Sequence, residues 1–151
     1  MSPIIEKPTS DDIVALATLF SADLEALRIP WDLPTLEGVA TGLVHDDDKN
    51  SFVRVARFSQ TEPALGVIVA HEWTSVKFSG RAFWLETLYV DVPMRRHGLG
   101  RRMVNVLIEE AKKRGCKGID LEAYKMNAPA SYLYRSLGFR RLGRERYSLR
   151  V

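Results

Sequence analysis

Residues 95–102 read Arg-Arg-His-Gly-Leu-Gly-Arg-Arg, the segment of this 151-residue chain whose residue types and spacing point most directly to a bound ligand. Gly98 and Gly100 let backbone approach a ligand closely, and a helix opening there leaves its first amides without intrahelical partners. Those amides, the positive end of the helix dipole and the guanidiniums of Arg95, Arg96, Arg101 and Arg102 together make a site for a phosphate or pyrophosphate. The alternative is an ordinary loop with a solvated basic face. The two familiar nucleotide loops are absent: there is no G-x-x-x-x-G-K-[ST] and no complete G-x-G-x-x-G. The chain has no Ser-His-Asp grouping and no metal-ligand set, and its single Cys116, following a helix-ending Gly115, reads as a packed small residue. His45 beside Asp46, Asp47 and Asp48 offers ligands to a cation, or is simply a solvated acidic turn.

The elements that must position the basic turn lie on either side of it. Residues 83–90 are dense in aromatic and β-branched side chains, and Pro93 ends any strand there. From Leu99 onward Leu99, Met103, Leu107 and Ala111 form an apolar helical stripe, widened by Val104 and Ile108. Lys113-Arg114-Gly115 is a helix stop, basic in the last turn with Gly just past it. Toward the N-terminus, residues 3–7 predict a short strand. Thr9 or Ser10 then caps a helix whose apolar face is Ile13, Leu16, Ala17, Phe20, Leu24 and Leu27. Pro30 and Pro34 bracket a loop before a second helix over residues 35–44. Residues 51–58 and 64–77 read as antiparallel strands, and a turn at residues 76–81 feeds a central strand over 82–91. Beyond the basic helix come a strand at 119–123, a helix at 128–137 and a last strand or two over 140–151. The order predicts one α/β domain over residues 1–151, with a mixed sheet of about six to seven strands and about four helices on its two sides.

Two blocks of residues resemble a known family. Arg95-x-x-Gly98-x-Gly100, after a strand ending Leu88-Tyr89-Val90, looks like the acetyl-coenzyme A signature of the GCN5-related N-acetyltransferases (GNAT). Asn127-x-x-Ala130-x-x-Leu133-Tyr134-x-x-x-Gly138-Phe139 resembles the block that this family carries after its pyrophosphate helix and following strand. The resemblance implies a GNAT-like fold and transfer of an acetyl group from acetyl-coenzyme A to a primary amine by direct attack in a ternary complex. It implies that the backbone of Leu88, Tyr89 and Val90 pairs with the pantetheine arm. Arg95, Arg96, Gly98, Leu99, Gly100 and Arg101 would hold the pyrophosphate.

By the same resemblance Tyr134 is the general acid that protonates the leaving thiolate, and Glu86, two residues before Leu88, is the general base. The plain alternatives are a core-edge aromatic and a glutamate paired with an arginine. His71 and Tyr89 are weaker candidates for the base. Asn127 contacts the cofactor or caps its helix. The region between the first two helices commonly borders the acceptor in such proteins, which makes Trp31 and Asp32 candidates for acceptor contact; a half-buried Trp is the bland reading.

Composition bounds these readings. The charge of +3 hides an asymmetry, because residues 1–75 hold 5 Lys/Arg against 12 Asp/Glu, whereas residues 76–151 hold 17 against 7. The basic half suits an anionic cofactor and the acidic half a cationic amine. No apolar run approaches a membrane span, no secretory signal is visible, and the lone cysteine suits a reducing, cytoplasmic setting. The expected partner is an amine acceptor, small or protein, with neither membrane nor metal involved. C-terminal edge strands would permit a homodimer. Two alternatives stand beside the enzyme: a sensor domain that binds acyl-coenzyme A without turnover, and a nucleic-acid binder using residues 95–117. Against the latter, the arginines cluster at one helix mouth and no nucleic-acid motif accompanies them.

Overall fold

A computed structural model describes residues 1–46 and 49–151. The elements in chain order are β1 (Ile4–Glu6), α1 (Ile13–Ala26), α2 (Leu33–Val44), β2 (Ser51–Arg57), β3 (Gly66–Ser75), β4 (Gly80–Val90), α3 (Leu99–Lys113), β5 (Gly118–Leu121) and α4 (Ala128–Ser136). The described residues group into two compact units, Met1–Leu121 and Glu122–Val151.

The first unit is built on a sheet of order β1-β2-β3-β4-β5. Its first four strands run antiparallel, and β5 joins β4 in parallel after the α3 crossover. Both faces are covered, which is why β2 and β3 read as nearly continuous apolar runs. On one face Val53, Val55, Val67, Val69 and Tyr89 pack with Leu16, Leu19 and Phe20 of α1 and Ala40 of α2. The alternate residues Phe52, Ile68, Phe83 and Leu85 are also buried, and α3 meets the strands on their side. Leu99, Met103, Val104, Leu107 and Ala111 of α3 are the buried stripe expected from their spacing. Each large side chain so buried stabilises the fold by about 1.5–3 kcal/mol.

The end of β1 is tied to the start of α1 through a buried ion pair. Arg57, on β2, reaches both oxygens of Asp12 at 2.8 Å. Glu6 lies 2.9 Å from Arg57 Nε, an ion pair without hydrogen-bond alignment. Asp12 also accepts from the Thr9 amide in a capping box. Burial alone would raise the Asp12 carboxyl, but hydrogen bonds from Arg57 and Thr9 and the Arg57 charge hold it below its ordinary value of 3.8. A depressed carboxyl contributes stability that is present above its unfolded pKa and lost as pH falls through the folded one. Asp12→Ala is expected to cost about 3 kcal/mol, because it leaves the buried Arg57 guanidinium with Glu6 alone. Denaturant unfolding at neutral pH measures this, and the gap to wild type should narrow below about pH 4; a gap that stays constant into acid would separate the loss from Asp12 ionisation.

The expectation of six to seven strands is corrected to five among the described residues. The missing strands are those expected over residues 140–151, which form neither helix nor strand. There the apolar residues alternate with arginines, a local strand signal, but Leu142, Tyr147, Leu149 and Val151 all lie exposed. A strand needs a partner edge and a covered face, and local alternation supplies neither. The four α-helices among the described residues agree with expectation. No helix among the described residues is long and apolar enough to cross a membrane.

Candidate active site

β4 is the element on which the site converges. It pairs with β3 along its length, from Ser75↔Gly80 to Gly66↔Val90. On its other side β5 covers only Ala82 to Leu85. Past Leu85 no strand among the described residues pairs with that edge of β4.

Where β5 stops, the β3–β4 register slips. Val69 faces Thr87 and Ala70 faces Leu85, so Glu86 is the extra residue of a β-bulge. In a regular strand two successive side chains point to opposite faces. The bulge instead lets Glu86 and Thr87 both line one cleft. The Glu86 carboxylate lies 2.6 Å from His71 Nε2. That hydrogen bond raises the His71 pKa, with burial opposing and the charges of Glu86 and Asp46 adding to the rise. His71, a weaker candidate for the base itself, is thus the partner of Glu86, where the plain alternative is an arginine.

The cleft is open, with room of about 110 Å³. Phe20, Asp23 and Leu24 of α1, Leu36, Val39 and Leu43 of α2, and Val69, Glu86 and Thr87 of the sheet line it. Asp23 was not singled out from the sequence, although a signal was there. It falls three residues after Phe20 on the apolar stripe of α1, a place for a core side chain. Burial raises its pKa, the Glu86 charge adds to the rise, and Arg95 opposes it. Trp31 and Asp32 are not among the lining residues. Trp31 donates to Glu25 Oε2 at 2.9 Å, and Asp32 caps α2 by accepting from the Thr35 amide at 3.1 Å. Hydrogen bonding from Thr35 holds Asp32 below its usual range.

Beyond β4 the chain turns through Val92–Met94 into the mouth of α3. Arg95 folds back, its Nε donating to the Val90 carbonyl at 2.7 Å and its guanidinium lying 5.3 Å from the Tyr89 ring centre. Gly98 is the N-cap of α3 with φ 79, a left-handed conformation that costs other residues about 1–2 kcal/mol. It has no side chain to cap the first turn, and nothing lies within 4 Å of where its Cβ would project. Leu99 is buried behind it and anchors the helix start. Arg95, Arg96 and His97 are exposed around this open mouth, whereas Arg102 is engaged with the Pro3 carbonyl at 2.8 Å. The first turn of α3 carries no acidic residue to compete for the helix dipole.

In the second unit Asn127 caps α4, accepting from the Ala130 amide at 3.2 Å. Tyr134 is half-buried, its ring 5.8 Å from that of Phe139 in an edge contact, and Tyr132 is exposed. Cys116 points its thiol to Glu72 at 3.5 Å; burial first, then Glu72, push its pKa up, the reverse of what a nucleophile needs. Around the acidic turn, His45 Nε2 meets Ser10 Oγ at 3.2 Å and Asp46 accepts from the Ser51 amide. Asp47 and Asp48 lie outside the described residues, among which no three His, Cys, Asp or Glu side chains gather as a metal site.

The model of the "Acetyltransferase (GNAT) family" matches residues 14–139. The chain belongs to that family. Members use acetyl-coenzyme A as co-substrate, and a helix mouth without a side-chain cap, with arginines around it, suits a phosphate group. The [ribosomal protein bS18]-alanine N-acetyltransferase of Escherichia coli K12 is 46% identical over 55 residues, covering 36% of this chain and 37% of that protein. A thialysine N-epsilon-acetyltransferase of Sus scrofa is 34% identical over 65 residues, 43% of this chain and 38% of its own length. The matched part therefore spans little more than a third of these curated relatives. The solved ribosomal-protein-alanine N-acetyltransferase from Brucella melitensis biovar Abortus 2308 superposes with a TM-score of 0.76 at 19% identity, covering 99% of each chain. That likeness is one of fold.

Proposed function

We propose that this protein is an N-acetyltransferase that moves an acetyl group from acetyl-coenzyme A to a primary amine by direct attack, its two units working as one domain over residues 1–151. The observation that carries this reading is the double use of β4. One end of its stretch beyond β5 leads to the Gly98 helix mouth, and at the other Glu86 lines the cleft with residues of α1 and α2. A donor laid along Leu88, Tyr89 and Val90, with its pyrophosphate on Arg95, Arg96, Gly98, Leu99, Gly100 and Arg101, would present its thioester beside an amine in that cleft. Such positioning can lower a barrier by about 7–11 kcal/mol at best. Glu86, aligned by His71, takes the proton from the amine. Tyr134 protonates the departing thiolate, a role that rests on its match to the family block. Asn127 serves the cofactor from the same block, beside its capping bond. The family match runs across the boundary between Leu121 and Glu122, which supports treating the two units together.

The test is thiol release from acetyl-coenzyme A with a panel of amines. The names of the relatives recommend a peptide with N-terminal alanine and thialysine for that panel, beside simple alkyl amines and diamines. Wild type should turn over at least one class. Glu86→Gln should lower kcat about 100-fold or more near neutral pH, with part of the loss recovered at high pH where the amine loses its proton unaided. The same variant should bring the His71 pKa down, as read by NMR, because the hydrogen bond that raises it is weakened. Tight acetyl-coenzyme A binding with no thiol release from any amine would replace this reading by the sensor.

A further inference from the structure

With Glu86 assigned to the reacting nitrogen, the cleft holds a second carboxylate that acetyl transfer to a simple amine does not use. Asp23 stands on α1 between Phe20 and Leu24, both of which line the cleft with it. Among the described residues no hydrogen bond or ion pair reaches its carboxylate. Glu25, two residues on, shows the contrast by accepting from Trp31 at 2.9 Å. The charge of Arg95 acts on Asp23, yet the Arg95 side chain is engaged with the Val90 carbonyl and the Tyr89 ring. A carboxylate that shares a partly apolar cleft with a second one is costly, and a cation placed in that cleft relieves the cost.

We propose that Asp23 determines acceptor specificity by holding a second, permanently charged ammonium, so that the cleft takes a diamine whose methylene chain lies on Phe20, Leu24, Leu36 and Val39; this rests on the acetyl-transfer reading. The neutral nitrogen attacks the thioester carbonyl, forming C–N as C–S breaks. Its proton passes to Glu86, the thiolate is protonated from Tyr134, and the distal nitrogen keeps its proton and its charge throughout. The apolar walls serve the chain between the two nitrogens, and the two carboxylates serve its ends. The state of Asp23 agrees with this. Its carboxyl is held above its usual range by burial and by Glu86, and an ammonium beside it would bring that pKa down.

The experiment compares kcat/KM for 1,4-diaminobutane and butylamine, with wild type and Asp23→Asn. Wild type should favour the diamine at least about tenfold, equivalent to about 1.4 kcal/mol. Asp23→Asn should lose most of that preference through a higher KM for the diamine, and Asp23→Glu should recover part of it. Thermal melting controls for the fold, because removing an unpaired carboxylate should hold or raise Tm. Equal efficiency on both amines in wild type, or a preference that survives in Asp23→Asn, overturns the assignment of Asp23 and leaves acetyl transfer standing. Absence of thiol release with every amine overturns acetyl transfer, and this inference with it.

Discussion

Tyr134→Phe should lower kcat about 100- to 1,000-fold while changing KM for acetyl-coenzyme A less than threefold, within the usual span for loss of a general acid. Only the phenolic oxygen is removed. The ring that packs edge-on against Phe139 stays, and so does the Phe139 amide bond to the Tyr134 carbonyl at 3.0 Å. α4 should therefore keep its cap at Asn127 and its length, and the melting temperature should stay within a few degrees of wild type. A drop in kcat with unchanged binding is the signature of an interaction made only in the transition state. Pre-steady-state thiol release separates chemistry from product release. If that rate is the same in both proteins, Tyr134 leaves the mechanism and the thiolate takes its proton from solvent.

Gly98→Glu should weaken acetyl-coenzyme A binding more than 100-fold by calorimetry while the fold survives. Two effects add. Gly98 has φ 79, so a side chain there meets the left-handed penalty of about 1–2 kcal/mol. The larger effect comes from charge. Nothing of the protein lies within 4 Å of the Cβ position, so the glutamate projects into the open helix mouth and places a carboxylate where the pyrophosphate belongs. Gly98→Ala separates the two, since it keeps the backbone strain and lacks the charge; it should lose a few-fold in affinity and a similar amount of stability as Gly98→Glu. Binding retained near the wild-type value in the glutamate variant would falsify the pyrophosphate assignment. Equal losses in both variants would trace the effect to backbone strain.

The helix mouth is visible as geometry in the first unit, where an αL glycine, an uncapped first turn and exposed arginines coincide. Tyr134 stands on a motif match and on its place in α4.

By itself the sequence determined the local features. The end of β4 near Pro93, the start of α3 at Leu99 and its stop at Gly115 all follow from spacing and from residues with strong backbone preferences, which act over a turn or two of chain. The basic turn was legible for the same reason, since its chemistry lies in contiguous residues. Family membership was legible because two spaced motifs together are far more specific than either alone. Tertiary structure decided whatever depends on pairing between distant segments. Whether residues 140–151 become strands depends on a partner edge, and their alternation could not report one. The slip that turns Glu86 into the cleft arises between β3 and β4, and its partner His71 lies 15 residues away in sequence. Asp32, a candidate for acceptor contact, caps α2, and Asp23, on the apolar stripe of α1, lines the cleft together with Glu86. A helical pattern says which side of a helix is covered; only packing against the sheet says what a charged residue on that side will meet.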